Sequence, residues 1–372
     1  MSELISTVEI ERPRESSSIE RPRPLRIAQV APLYESVPPQ LYGGTERVVS
    51  YLTEELVRRG NEVTLFASGD SVTSAKLQAG YPEALRLSGQ VNVAAHGTGL
   101  HLPMLSDVYD HAEEFDVIHA HLDYWTFNLS RLVATPTVTT LHGRLDLEDL
   151  HPIYNCYRDL PLISISDAQR KPLPSMNWVS TIHHGVPREH LKFNPNGGNY
   201  LAFLGRIAPE KRPDLAIRIA RKAGIPLKIA AKVDEIDVEY FKNTIEPMIH
   251  AAPGVEYIGE INETQKSEFL GNALALLFTI DWPEPFGLVM IEAMACGTPV
   301  IARPFGSVPE VMRDGVTGFI ASEFDDLVAA VRKVDTISRH ACREEYERRF
   351  AVDVMAEKYE RIYRELIAIG QR

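Results

Sequence analysis

A chain of 372 residues, 44% hydrophobic and 24% charged, suits two globular cores better than one. Its formal net charge of −12 argues against a nucleic acid or an anionic membrane as the main partner, while leaving room for a local basic pocket. Three scattered cysteines (Cys156, Cys296 and Cys342) without a CxxC pair fit a reducing, cytoplasmic setting and no zinc site, and no apolar run is long enough to cross a bilayer.

The chain opens on "MSELISTVEIERPRESSSIERPRP", which mixes charges, Ser and Pro and lacks the apolar core of a signal peptide. Residues 1–23 are therefore expected to form a mobile tail. From Leu25 onward, short apolar strands alternate with amphipathic helices. "LRIAQVA" reads as a strand. Glu46–Arg59 reads as a helix with Val49, Leu52 and Leu56 on one face and Gly60 as its stop. The strands "EVTLFA", "FDVIHAH", "TPTVTTLH" and "LPLISIS" follow, separated by helix-length segments. A second series starts near "NYLAFLG" (Asn199–Gly205). It runs through a helix Pro213–Ala223, the strand "PLKIAA", a helix near Val238–Ile249 and the strands "VEYIG" and "ALALLF". A helix Phe286–Cys296 and the strands "TPVIA" and "TGFIA" complete it.

The Pro- and Gly-bearing segment His183–Asn199 reads as the linker between the two series. The last stretch, Ala351–Ile369, is a helix with Met355, Tyr359, Ile362 and Leu366 on one side. Such alternation predicts parallel sheets covered on both faces. The expected organisation is two doubly wound α/β domains, residues 24–185 and 186–350, followed by a terminal helix within 351–372. Ligands of open parallel sheets bind beyond the carboxyl ends of the strands, so motifs should cluster in the loops that follow strands.

Four constellations lie in such loops. In "YGGTERVV", Gly43 and Gly44 precede a helix, where backbone amides suit an anion and glycine permits close approach; GxGxxG is absent. In "FLGRIAPEKRPDL", Arg206 and Lys211 stand between a strand and a helix N-terminus. Cations oppose the helix dipole there, which makes sense if an anion such as a diphosphate lies between. In "FDVIHAH", His119 and His121 share a strand face; His119 reads as structural and His121, further out, as the one to touch a ligand. In "EPFGLVMIEAMACG", every residue from Phe286 to Cys296 is apolar or Gly except Glu292. The amides of Phe286, Gly287 and Leu288 would be free at the helix start, with Glu284 at its mouth. Buried carboxylates need partners. Neutral sugar hydroxyls would satisfy both without a counter-charge; the alternative is a buried ion pair, for example with Arg303.

These residues resemble the retaining glycosyltransferases of GT-B fold, family 4. "EPFGLVMIE" looks like that family's E-x7-E motif and "GRIAPEK" like its GR-x-x-x-x-K diphosphate motif. "GGTE" and "GSVPEVMRDGVTGF" also match, so that the resemblance covers about residues 25–368. Within the family the chain looks closest to the branch of an avilamycin-type transferase.

The resemblance implies two Rossmann-like domains facing a cleft, with a terminal helix crossing back to the first. By position, Arg206 and Lys211 would bind the donor diphosphate, Glu292 the ribose and Glu284 the transferred sugar. The Phe286–Leu288 amides would face sugar and phosphate, and Gly44 would approach the diphosphate. His121 would lie near the reacting sugar, and the backbone around Tyr257–Ile258 would read the base. One departure is "TIDWPEPFG", where many members carry a Pro-Ser pair near Thr279–Ile280. The implied activity is retaining transfer from an NDP-sugar, UDP- or GDP-linked, to a small-molecule, glycan or lipid-linked acceptor. No cofactor, no metal and no nucleic acid are expected. A GT-B sugar-nucleotide epimerase and a non-catalytic sugar-nucleotide binder are the alternatives; a Rossmann dehydrogenase would need the absent nicotinamide fingerprint.

Overall fold

The computed structural model describes residues 23–40, 43–89 and 91–370. The expected tail lies outside the described residues except for Arg23, which pairs with Asp116. Seven strands form the first sheet: β1 (Arg26–Val30), β2 (Glu62–Ser68), β3 (Lys76–Tyr81), β4 (Val117–Ala120), β5 (Thr137–Thr140), β6 (Leu162–Ser164) and β7 (Trp178–Thr181). Six form the second: β8 (Tyr200–Arg206), β9 (Leu227–Lys232), β10 (Val255–Gly259), β11 (Ala273–Phe278), β12 (Val300–Ala302) and β13 (Gly318–Ile320). Their orders are β3-β2-β1-β4-β5-β6-β7 and β10-β9-β8-β11-β12-β13, with every pair parallel.

Both faces of each sheet are covered, which is why central strands such as "ALALLF" read as unbroken apolar runs. Along β1, Ile27 faces the Gly44–Arg58 helix, while Ala28 and Val30 face the Val93–Asp110 helix. In the second sheet, Leu201 and Phe203 pack with the Pro213–Ala223 and Phe324–Arg332 helices. Ala202 packs on the other side with the Leu288–Ala295 and Arg339–Arg349 helices.

Two strands escape the sequence pattern, β3 "KLQAGY" and β7 "WVST". Both are edge strands with no fully buried residue, so neither needs an apolar run. The helix expected over Val238–Ile249 is broken. Pro247 has no N–H for the carbonyl of Asn243, and Phe241–Ile245 winds as a π turn before Glu246–His250 resumes the α form.

The chain passes between the sheets twice, and the two passages lie side by side. The amide of Val186 donates to Phe350 O at 2.9 Å and that of Val352 to Val186 O at 3.0 Å. Gly185 permits this approach, since a Cβ there would sit 2.8 Å from Ala351 O. The final helix, Val352–Gly370, then lies on the first sheet. Tyr363 reaches His119 Nδ1 (2.7 Å), Tyr359 reaches Thr140 (3.1 Å) and Glu360 holds Arg59 (2.6 Å).

Candidate active site

Strand order reverses at β1, which separates β2 from β4, and at β8, which separates β9 from β11. The crevice outside the carboxyl ends at such a reversal is where open parallel sheets hold ligands. Here both reversals face one cavity of about 380 Å³. Gly43, Gly44, Arg47, His142, Ile165 and His184 line it from the first domain and the segment leaving it. Arg206, Lys211, Glu260, Ile261, Glu263, Lys266, Glu284 to Val289 and Glu292 line it from the second.

The Leu288–Ala295 helix begins at this cavity because Gly287 takes φ 77°, a left-handed conformation that L side chains rarely adopt. A Cβ at Gly287 would lie 2.9 Å from Met290 Cε and from Phe278 Cζ. Among the described residues, the amides of Phe286, Gly287 and Leu288 donate to no protein acceptor, so they remain available to an anion or hydroxyl.

Both carboxylates of the motif already carry a cation, which corrects the expectation of hydroxyl partners without counter-charge. Glu292 is 4% exposed and pairs with Lys266 Nζ at 2.7 Å. Glu284 Oε2 accepts from Lys211 Nζ and from Trp282 Nε1 (3.0 Å). Arg303 pairs with neither; it holds Asp281 at 2.7 Å. Lys266 sits on the neighbouring Glu263–Gly271 helix, 26 residues before Glu292 in sequence, so no local spacing announced it. It also pairs with Glu263, which takes Arg47 (2.6 Å) and Tyr51 OH (3.1 Å) from the first domain. Burial alone would raise the Glu263 pKa; Lys266 and Arg47 outweigh it and hold this carboxyl below its usual range. The network ties the two domains together beside Glu292.

Arg206, at the end of β8, pairs with Glu210, with Asp234 (3.3 Å) and more distantly with Asp237 (3.6 Å). Gly43 and Gly44 both line the cavity; Tyr42, quoted with them, lies outside the described residues. A Cβ at Gly43 would strike Pro39 at 2.8 Å, whereas Gly44 has open space around it.

Two expectations shift along the chain. Tyr257 and Ile258 do not line the cavity, and Tyr257 OH donates to Ala231 O at 2.8 Å. The loop beyond the strand end, Glu260–Ile261, lines it instead, as the strand-end rule requires. His121 also fails to reach the cavity. It is 3% exposed and both ring nitrogens are used inside the protein, Nε2 with Gln29 Oε1 and Nδ1 with His142 Nε2, each at 2.8 Å.

The residue that reaches the cavity is His142, from the loop after β5. Gln29 Oε1 only accepts, so His121 Nε2 donates and neutral His121 Nδ1 accepts from His142 Nε2–H. His142 Nδ1 is left as a buried lone pair with no partner among the described residues. Burial pushes the His142 pKa down to about 3, which keeps the ring neutral at physiological pH. His184 stacks on it at 5.2 Å, with burial foremost in holding that ring's pKa well below the usual value. The "LH" at a strand's carboxyl end was the available signal for His142.

Residues 42–203 match the family model for Glycosyltransferase Family 4, and residues 188–349 match that for Glycosyl transferases group 1. The phosphatidyl-myo-inositol mannosyltransferase of Mycobacterium leprae is 24% identical over 94% of this chain and 99% of its own length. Among solved structures, AviGT4, a glycosyltransferase of avilamycin A biosynthesis, is 23% identical. It aligns with a TM-score of 0.70 over 93% of this chain and 98% of its own. HepE of Anabaena in complex with UDP and glucose is 17% identical, with a TM-score of 0.72 over 92% and 100%. At these identities the structural likeness is one of fold.

Proposed function

The chain belongs to the GT-B glycosyltransferases of the group 1, family 4 type, and from that premise we propose that it transfers a hexose from a UDP- or GDP-sugar to a hydroxyl acceptor with retention of configuration. The observation that carries this reading is the convergence, on one cavity, of Arg206, Lys211, three unbonded helix-start amides and the Glu284/Glu292 pair. Arg206, Lys211 and the amides would neutralise the diphosphate as it leaves, with no metal required. Glu292 would accept from the ribose hydroxyls, Glu284 from those of the hexose, and Glu260–Ile261 would meet the base. His142 Nδ1 would accept from a sugar hydroxyl, the role first expected of His121. Gly43 and Gly44 would let the first domain close on the diphosphate.

In the chemical step the bond between the anomeric carbon and the phosphate oxygen breaks. The acceptor oxygen bonds to that carbon on the same face, and the acceptor's proton passes to the departing phosphate. No protein nucleophile is needed.

HepE is known with UDP and glucose, and the M. leprae relative is a mannosyltransferase, so UDP-glucose and GDP-mannose are the first donors to test. The anomeric coupling constant of the first product, read by proton NMR before equilibration, should match the donor's; an inverted linkage overturns the mechanism. Conversion of the donor to its epimer without acceptor would replace the transferase reading by an epimerase. Loss of turnover in EDTA, restored by magnesium, would refute the metal-free leaving group. Glu292→Ala should weaken nucleoside diphosphate binding about tenfold by calorimetry, the value of a lost charge-assisted hydrogen bond.

A further inference from the structure

Trp282, to which the mechanism assigns nothing, lies in the segment "TIDWPEPFG", which departs from the family's pattern. The backbone around it is pinned independently of the indole. Asp281 N donates to Glu210 O (2.8 Å), Thr279 Oγ1 to Arg212 O (2.9 Å), Ser307 N to Glu284 O (3.0 Å) and Ser166 Oγ, from the first domain, to Pro285 O (2.6 Å). The Trp282 side chain is thus free for another task. Its Nε1–H donates to Glu284 Oε2 at 3.0 Å, the oxygen that Lys211 Nζ also holds. The Lys211 ammonium lies 4.7 Å from the indole centroid, and the Arg144 guanidinium of the first domain lies 5.9 Å away. Glu284 Oε1 has no partner among the described residues.

We infer that Trp282 is a positioning residue for the transferred sugar: with Lys211 it occupies Glu284 Oε2, fixes the rotamer and leaves Oε1 to accept hydroxyls of a hexose in the donor. This rests on the donor-site reading above and adds the part of the chain that reads the sugar rather than the nucleotide. A carboxylate held by two donors on one oxygen has a single orientation to offer, so the geometry of the hydroxyls that Oε1 accepts becomes selective. The cation over the ring face further restrains the indole.

The test separates sugar from nucleotide. Affinities of UDP, GDP, UDP-glucose and GDP-mannose are measured by calorimetry on the full chain, with Trp282→Phe, Glu284→Gln and the double variant. Trp282→Phe keeps an aromatic ring in place of the indole but removes the N–H donor together with part of the fused ring system. It should weaken binding of the preferred sugar nucleotide about tenfold, the scale of a hydrogen bond to a charged group, while the parent diphosphate changes less than about twofold. The double variant should be no weaker than Glu284→Gln alone, because the indole acts through that carboxylate. Equal weakening of diphosphate and sugar nucleotide would mean a loop-structural role and overturn the inference, as would fully additive losses or an unchanged ratio. If the unmodified protein binds none of the four compounds, the donor-site reading itself fails and takes this role with it. Binding of diphosphates with an unchanged ratio in Trp282→Phe removes only the role of Trp282.

Discussion

Arg206 meets three carboxylates in the free protein, from Glu210, Asp234 and Asp237, and Asp234 also takes Lys232 at 3.1 Å. A diphosphate entering the cavity must therefore compete for a cation that is already engaged. Glu210 is the competitor most easily displaced, since it sits on the short Pro209–Lys211 turn beside Arg206 and is about a third exposed. Opposite predictions follow for the two members of the pair. Arg206→Ala should lower UDP or GDP affinity about tenfold or more, because a charge-assisted contact disappears. Glu210→Gln should raise it, on the order of threefold, because a partly exposed ion pair of modest worth no longer opposes the ligand. Titration calorimetry at fixed ionic strength reads both signs; a weaker Glu210→Gln complex would mean that Glu210 orients Arg206 for the ligand instead of competing with it.

At the scale of elements, the helix start at Gly287 carries the most structural consequence for the site. Gly287→Ala puts a methyl 2.9 Å from Met290 Cε and Phe278 Cζ at a φ of 77°. The strain should cost about 1–3 kcal/mol. In a domain of this size that lowers the melting temperature by roughly 2–4 °C for each kcal/mol. The Phe286–Leu288 amides should also shift, so nucleotide binding falls with stability in this variant. The chain's strand–helix alternation carried the fold legibly, because buried parallel strands are mostly apolar: β1, β8 and β11 announce themselves. Edge strands β3 and β7 are under no such demand and were silent. The site was legible where its chemistry is local in sequence, as in Glu284 and Glu292 around one helix start or Arg206 and Lys211 around one turn. It was illegible where contacts join distant segments. Lys266 on Glu292 and the His121–His142 relay depend on how helices and loops meet after folding. His121 and His142 illustrate the limit well: both end strands, and only the packing of β4 beside β5 decides which one faces the cavity.

The whole molecule carries an acid sensitivity set by its buried histidines. His101, His119, His121, His142 and His184 all have lowered pKa values, with burial the foremost cause. In the unfolded chain each takes up a proton near pH 6.5, whereas the folded chain resists. Below that pH the unfolded state binds more protons, and stability falls as pH falls. Each such group contributes a slope of up to about 1.4 kcal/mol per pH unit. Glu46 acts with the opposite sign. Burial raises its pKa to about 7, so between pH 4.5 and 7 the folded state holds a proton that the unfolded state has lost, and stability from this group falls as pH rises. Asp123, whose pKa burial raises to about 6, acts in the same sense as Glu46. Five histidines against these two carboxyls leave a net loss toward acid. The loss should reach both domains together. Tyr359 and Tyr363 of the last helix, which follows the second domain, are hydrogen-bonded to Thr140 and His119 of the first, and Arg47 pairs with Glu263 across the cleft. Urea midpoints should therefore change little from pH 8 to 7 and fall steeply from 6.5 to 5, in a single transition seen alike by fluorescence and circular dichroism. Glu46→Gln should raise the midpoint above pH 7, by about 3 kcal/mol in stability at most, and steepen the fall toward acid, since that opposing slope is gone. A midpoint that stays level or rises between pH 7 and 5 would show that these imidazoles take up protons without unfolding the sheet, and the neutral relay from Gln29 to His142 would fall with it.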